Sequence, residues 1–215
     1  MPSILVIGAS RGIGLELVRQ YLAAGWHVHA TTRTPGKSLP LKGSLENLRM
    51  YTLDVRDSAQ IRNLAEELSQ STFDVLIHNA AVHDGKEKEV MRINVEAPIE
   101  LTEALLDNVS RSRQKKIVLM SSQMGARRGR SGKLDLYGES KARLNERFRE
   151  LAPSLVKRNI TAVVLHPGWV RTDMGGSSAP LSVAESVAGI KQVVENLNPQ
   201  QHGSFLTWKG EIHPW

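Results

Sequence analysis

Short apolar runs alternate along this chain with longer amphipathic stretches, and this alternation restricts the fold more than any other feature. Short runs of this kind predict buried strands, whereas apolar residues that recur with helical period predict amphipathic helices. Because strands and helices alternate throughout, the sequence predicts an α/β fold, a doubly wound parallel sheet with helices on both faces. The predicted strands are 4–7, 26–32, 50–53, 73–77, 116–120, 160–165 and 204–208, and the predicted helices are 12–24, 58–68, 90–108, 136–154 and 183–196.

The composition predicts one globular domain over residues 1–215. Apolar residues make up 40% of the chain, which is typical of a folded protein, and no apolar run approaches the roughly 20 residues of a membrane helix. The chain has no cysteine, and its histidines lack the spacing of metal ligands, so we expect no disulfide and no metal. Its start lacks the pattern of a secretory signal, and a cytoplasmic location is expected.

The net charge of +6 raises the question of a nucleic-acid partner. The basic residues are spread along the chain, and the densest groups, within 111–116 and 127–130, are short and lack interleaved aromatic residues. We therefore expect neither a nucleic-acid partner nor a membrane partner. A basic surface also attracts an anionic dinucleotide, which is the simpler interpretation.

A glycine-rich turn lies between the first predicted strand and the first predicted helix. Glycines at such a turn let the backbone approach a pyrophosphate, which the positive end of the helix dipole also favours. The turn therefore predicts a dinucleotide site. Its candidate residues are Gly8, Ser10, Arg11, Gly12, Ile13 and Gly14.

The residues after the second predicted strand favour NADP(H) over NAD(H) as the cofactor. A site selective for NAD usually carries a carboxylate there, which holds the ribose hydroxyls. This chain has Thr32 and Arg33 instead, and no Asp or Glu between Glu16 and Glu46. An arginine attracts the extra phosphate of NADP, and Arg33 and Arg11 are both candidates for that contact.

A serine, a tyrosine and a lysine have the spacing of a proton-transfer site. Lys141 follows Tyr137 by four residues, so the two side chains share one face of the predicted helix 136–154, and Ser122 precedes the tyrosine by fifteen residues. A cation beside the phenol is expected to lower its pKa from about 10, and Ser122 can hydrogen-bond a substrate oxygen. Taken alone, a Tyr-x-x-x-Lys pair is weak evidence, because it occurs by chance in many chains.

Together, these motifs resemble the short-chain dehydrogenase/reductase family, which has a Rossmann fold, and the resemblance covers nearly the whole chain. It implies a catalytic tetrad of Asn94, Ser122, Tyr137 and Lys141, in which Asn94 holds a water that relays protons to Lys141. It also implies that Tyr137 and Lys141 contact the cofactor. The further cofactor contacts that it implies are Asp54 and Val55 at the adenine, Asn79, Ala80 and Ala81 along the central strand, and Pro167, Gly168, Val170 and Thr172 at the nicotinamide amide.

Within that family the chain is most similar to the C-factor and sniffer-type carbonyl reductases. Thr32-Arg33, the segment 166–176 and the closing segment 210–215 carry this likeness. The chain departs from the family in two places: only fifteen residues separate Asn79 from Asn94, and few residues follow Thr172 before the next helix. The first departure leaves open a homodimer or a homotetramer, and the second predicts an open substrate site.

The sequence thus predicts an NADPH-dependent reductase that converts a small-molecule carbonyl compound into an alcohol, with Tyr137 as proton donor. The alternative is a dinucleotide-binding signalling or regulatory protein of C-factor type, because this fold also occurs in proteins that are not enzymes. The intact Ser122, Tyr137 and Lys141 favour the enzyme. An epimerase or dehydratase of the family's extended branch is disfavoured by the short region after Thr172.

Overall fold

The computed structural model describes residues 1–34, 40–41, 45–128 and 132–215. Strands of the described residues form one fully parallel sheet of seven, in the order β3-β2-β1-β4-β5-β6-β7. The predicted doubly wound fold is therefore confirmed. The strands are β1 Ser3–Ile7, β2 His27–Thr32, β3 Leu48–Thr52, β4 Val75–His78, β5 Lys116–Met120, β6 Thr161–His166 and β7 Phe205–Thr207.

Two apolar cores cover the two faces of the sheet because strand side chains alternate between them. In β1, for example, Ile4 and Val6 pack on one face and Leu5 and Ile7 on the other. The α-helices are α1 Gly12–Ala23, α2 Ser58–Glu67, α3 Glu87–Met91, α4 Ala97–Ala104, α5 Leu106–Ser110, α6 Leu136–Val156 and α7 Val183–Asn196. Helices α1 and α7 cover the first face, and α2, α4 and α6 the second.

The prediction of one helix over residues 90–108 is wrong. The structure has α3, a π-helical turn over Arg92–Glu96, α4 and α5 in succession. Pro98 explains the change of geometry, since it has no amide hydrogen to donate to the carbonyl of Asn94, four residues earlier. The remaining predicted elements are present, with ends that differ by up to two residues.

The sheet order reverses between β1 and β4, because β2 and β3 lie on one side of β1 and β4 to β7 on the other. Ligands of open α/β sheets bind in the crevice beyond the carboxyl ends of the strands at such a point. In the described part of the chain, no helix is both long and apolar enough to cross a membrane.

Candidate active site

A cleft of about 450 Å³ opens at the carboxyl edge of the sheet, where the order of strands reverses. It receives residues from the ends of most strands, from the start of α6 and from the segment after β6. The sequence-predicted residues that line it are Gly8, Ser10, Arg11, Gly12, Ile13, Thr32, Arg33, Asp54, Val55, Asn79, Ala80, Ala81, Tyr137, Lys141, Pro167 and Thr172.

The glycine turn forms a tight cradle that a side chain would fill. Gly8 has a φ of +86°, and a Cβ atom there would lie 2.8 Å from the Cα of Ala80. The Gly8 carbonyl accepts a hydrogen bond from Asn79 Nδ2 at 2.8 Å, and its amide donates to Thr31 Oγ1 at 3.0 Å. A Cβ at Gly14 would lie 2.0 Å from the Gly8 carbonyl oxygen. The floor of the cleft is therefore formed by backbone without side chains.

Helix α1 begins directly above this cradle, and its first-turn amides favour an anion at that end. Arg11 precedes the helix in extended conformation, and within the described residues its side chain makes no capping hydrogen bond to α1. Its guanidinium instead pairs with the carboxylate of Asp173, across the cleft, and both side chains are largely exposed. The cradle and the helix end together fit the pyrophosphate of a dinucleotide.

The other end of the cleft carries Thr32, Arg33, Asp54 and Val55. The Asp54 carboxylate accepts hydrogen bonds from the Arg56 guanidinium at 2.6 to 3.0 Å. These bonds lower the pKa of Asp54, against the opposing effect of its partial burial. Asp54 is therefore an ionised acceptor at neutral pH. Arg33 is exposed beside it, at the end of β2.

Tyr137 and Lys141 lie together on the first turns of α6. The Lys141 Nζ is 5.7 Å from the centroid of the Tyr137 ring. The ammonium is buried and donates a hydrogen bond to the Met120 carbonyl at 2.9 Å, at the end of β5. Ser122 follows that strand by two residues and is buried, and its hydroxyl acts on the Tyr137 side chain by lowering its pKa. The sheet and α6 thus bring the three predicted catalytic side chains to one place.

The structure contradicts the predicted lowering of the Tyr137 pKa. Burial raises the pKa of Tyr137 to about 12, the hydrogen bond from Ser122 opposes this increase, and the Asp135 charge adds to it. The predicted lowering of the tyrosine pKa is therefore wrong, because desolvation of the phenolate dominates. Burial also lowers the pKa of Lys141 to about 8.

Asn94 is fully buried in the π-helical turn, and its side chain is occupied by protein groups. Its Oδ1 accepts from the Val82 amide at 2.9 Å. Its Nδ2 donates to the Val82 carbonyl at 2.8 Å and to the Ser140 hydroxyl at 2.9 Å. The side chain therefore fastens the segment after β4 to α6.

The segment after β6 forms the remaining wall of the cleft. Thr172 lines it, and its hydroxyl accepts a hydrogen bond from the Gly175 amide at 3.0 Å. Met174 is a further lining residue and is 45% exposed, so an apolar surface is available to a ligand. Trp169 is also exposed, and its indole donates to the Gly175 carbonyl at 2.8 Å.

Five predicted site residues are not among the described residues that line the cleft. Gly14 and Gly168 instead allow close packing. A Cβ at Gly14 would lie 2.0 Å from the Gly8 carbonyl oxygen, and a Cβ at Gly168 would lie 2.8 Å from Leu181 Cδ2. Val170 is buried and bridges to Leu181. The five are Asn94, Ser122, Gly14, Gly168 and Val170.

Three residues that sequence reasoning missed contact predicted residues of this site. Thr31 holds the glycine turn, and the pairing of β1 with β2 could have identified it. Asp173 pairs with Arg11, and the ring of His83 stacks on Tyr137. No periodic pattern in the sequence indicates either contact, because each joins segments far apart along the chain.

Comparison with known proteins identifies the class. A family model described as short chain dehydrogenase matches residues 2–181, which is most of the chain. The chain therefore belongs to the short-chain dehydrogenase family of oxidoreductases.

Individual relatives confirm the predicted likeness to C-factor and sniffer-type proteins. The C-signal of Myxococcus xanthus is 33% identical over 166 residues, which cover 72% of this chain and all of the relative. The structure of the carbonyl reductase Sniffer of D. melanogaster has a TM-score of 0.90 and 30% identity over the full length of both chains. An NADPH-bound carbonyl reductase from chicken fatty liver has a TM-score of 0.90 and 33% identity, over 100% of this chain and 99% of that one.

Proposed function

We propose that this protein reduces an aldehyde or ketone to an alcohol with NADPH as the electron donor. The observation that carries the proposal is the convergence of Ser122, Tyr137 and Lys141 beside the glycine cradle. A protein that only bound a dinucleotide would have no need for a buried lysine next to a half-buried phenol.

In this proposal, the side chains of the protein donate the proton and orient the substrate carbonyl. A bound reduced nicotinamide supplies the hydride to the carbonyl carbon. Tyr137 donates its proton to the carbonyl oxygen, and Ser122 donates a hydrogen bond that stabilises the developing negative charge. The high pKa of Tyr137 keeps the phenol protonated at neutral pH, which is the form that a proton donor requires. The Lys141 ammonium stabilises the phenolate that remains.

Asn94 has two proposed parts in this scheme. Its side chain fixes the segment at Val82, as the three hydrogen bonds described above support. The backbone carbonyl of Asn94 cannot accept a hydrogen bond from Pro98, which has no amide hydrogen. We propose that this carbonyl holds a water through which a proton returns to Lys141. The proton lost by Tyr137 would be replaced along that route.

The proposed preference for NADP(H) rests on charge. Arg33 is exposed at the end of β2, where the ribose of the adenosine would lie, and Arg11 is close to the pyrophosphate cradle. Both attract the additional phosphate that distinguishes NADP from NAD. The avian carbonyl reductase with NADPH bound, of the same fold, supports this preference.

The test is consumption of NADPH, followed at 340 nm, against a panel of aldehydes, ketones and quinones. We expect turnover with NADPH, slower turnover with NADH, and none with Tyr137→Phe. Binding of NADPH to Tyr137→Phe, measured by quenching of tryptophan fluorescence, should match that of the wild type. A Tyr137→Phe variant that turned over normally would refute the assignment of the proton donor.

The likeness to C-signal supports a second candidate, a dinucleotide-binding signalling protein with little turnover. The same NADPH consumption assay distinguishes a signalling protein from a reductase. Tight NADPH binding with no consumption for any carbonyl compound, and with Tyr137→Phe indistinguishable from the wild type, would favour the signalling role.

A further inference from the structure

The ring of Tyr137 has an aromatic neighbour outside its own helix. The imidazole of His83 stacks on it, with ring centroids 4.9 Å apart and an interplanar angle of 28°. This separation lies within the range in which two rings attract beyond simple burial of their area. Tyr137 is in the first turn of α6, where a side chain has few neighbours on its own helix to fix its orientation.

The backbone beside His83 is anchored rather than loose. Val82, the preceding residue, has both its amide and its carbonyl hydrogen-bonded to the side chain of Asn94, at 2.9 and 2.8 Å. Asn94 is fully buried and also donates to Ser140 on α6, at 2.9 Å. A continuous set of contacts therefore runs from the π-helical turn, through Val82 and His83, to the phenol.

We propose that His83 is a positioning residue for Tyr137: its ring holds the phenol in the orientation from which the hydroxyl can reach both Ser122 and a substrate oxygen. This inference rests on the proposed function. Proton transfer requires the donor to lie within hydrogen-bond distance of the acceptor, so a small loss of alignment reduces the rate. The anchoring of Val82 makes His83 a fixed support, which an unanchored loop residue could not provide.

The kinetic test compares two substitutions of His83 with a neighbouring control. His83→Ala removes the ring, and His83→Phe keeps a ring but removes both nitrogens. We expect His83→Ala to lower kcat about two- to tenfold, with KM for the carbonyl substrate unchanged, and His83→Phe to restore most of the loss. Asp84→Asn is the control, because it removes the carboxylate 3.0 Å from His83 Nδ1 but leaves the ring in place, so kcat should stay at the wild-type value.

A second measurement does not depend on turnover. With tyrosine labelled by ¹³C at the ring Cζ alone, the three tyrosines give three signals, and Tyr137→Phe identifies the one that belongs to Tyr137. His83→Ala should shift that signal and leave those of Tyr21 and Tyr51 in place. NADPH affinity, measured by fluorescence quenching, should be the same in all of these variants. Because the side chain of His83 is 43% exposed, we expect each variant to fold, as circular dichroism will check.

The outcomes are distinguishable. A shifted Tyr137 signal, a lower kcat in His83→Ala and recovery in His83→Phe would support the inference. An unshifted signal would overturn it even if the wild type turned over no carbonyl compound, which is the separate failure of the proposed function. Equal loss of kcat in both His83 variants, or a loss of NADPH affinity, would also overturn it, because the ring would then not act by stacking.

Discussion

Lys141 gives the sharpest prediction, because its position is costly for folding and necessary for the proposed chemistry. The burial that lowers its pKa from 10.5 to about 8 disfavours the charged amine by about 3 kcal/mol relative to water. Lys141→Met fills the same space without a charge but loses the hydrogen bond to the Met120 carbonyl, which contributes about 1 to 2 kcal/mol. At pH 7 we therefore expect the variant to be more stable than the wild type by about 1 to 2 kcal/mol, although it should not turn over substrate.

The sign of the pH dependence follows from the direction of the shift. Below pH 8 the lysine is protonated in both the folded and the unfolded states, so the full cost of burial is present. Between pH 8 and 10.5 the folded protein releases this proton while the unfolded chain keeps it, so the wild type gains stability as the pH rises. At pH 9.5 the advantage of Lys141→Met should have fallen by about 2 kcal/mol and reached zero or reversed.

Urea unfolding without nucleotide at pH 7.0 and pH 9.5 measures this difference, with the free energy of unfolding obtained by linear extrapolation. The matched control is Lys88→Met, which removes an exposed lysine from α3 and should give the same difference from the wild type at both pH values. A Lys141→Met variant that is less stable than the wild type at pH 7, or that differs from it equally at the two pH values, would refute the reasoning.

Three further predictions concern the cleft. Gly8→Ala places a Cβ 2.8 Å from the Cα of Ala80 at a φ of +86°, and we expect lower thermal stability and a loss of NADPH binding in fluorescence titrations. Arg33→Ala should weaken NADPH binding about tenfold and leave NADH binding nearly unchanged, as calorimetry can measure, and equal weakening of both would contradict the proposed phosphate contact. Asn94→Ala leaves the Val82 amide and carbonyl without their partner, and we expect the free energy of unfolding in urea to fall by about 2 to 4 kcal/mol. A fall below about 1 kcal/mol would contradict a strong contribution of these hydrogen bonds to stability.

Much of the fold could be predicted from the sequence, because strand and helix periods are local properties of the chain. The runs that form β1 and β5 are apolar and β-branched on both faces, as expected for strands between two layers of helices. The prediction of one helix over residues 90–108 fails because hydrophobic periodicity does not report the missing amide hydrogen of Pro98. Pro98 was visible in the sequence, but the π-helical turn that accommodates it is a property of the packed structure.

The candidate site could likewise be predicted from the sequence only in part. The glycine turn and the Tyr137–Lys141 pair could be predicted because each lies within one strand–helix junction or on one helix face. His83 and Asp173 could not, since each acts on a residue from a distant part of the chain: His83 on Tyr137, and Asp173 on Arg11. The direction of the Tyr137 pKa shift was also out of reach, because it depends on how completely the folded chain excludes water.

The sequence by itself therefore determined the order of the elements, the family and the identity of the chemical groups, since these depend on residue types and on short spacings. Only the tertiary structure decided how those groups behave. Burial raises the pKa of Tyr137 and makes Lys141 costly to charge, and Asn94 joins the segment at Val82 to α6. The physical reason is that desolvation and long-range hydrogen bonds depend on which residues meet in space, and no local pattern in the sequence encodes that.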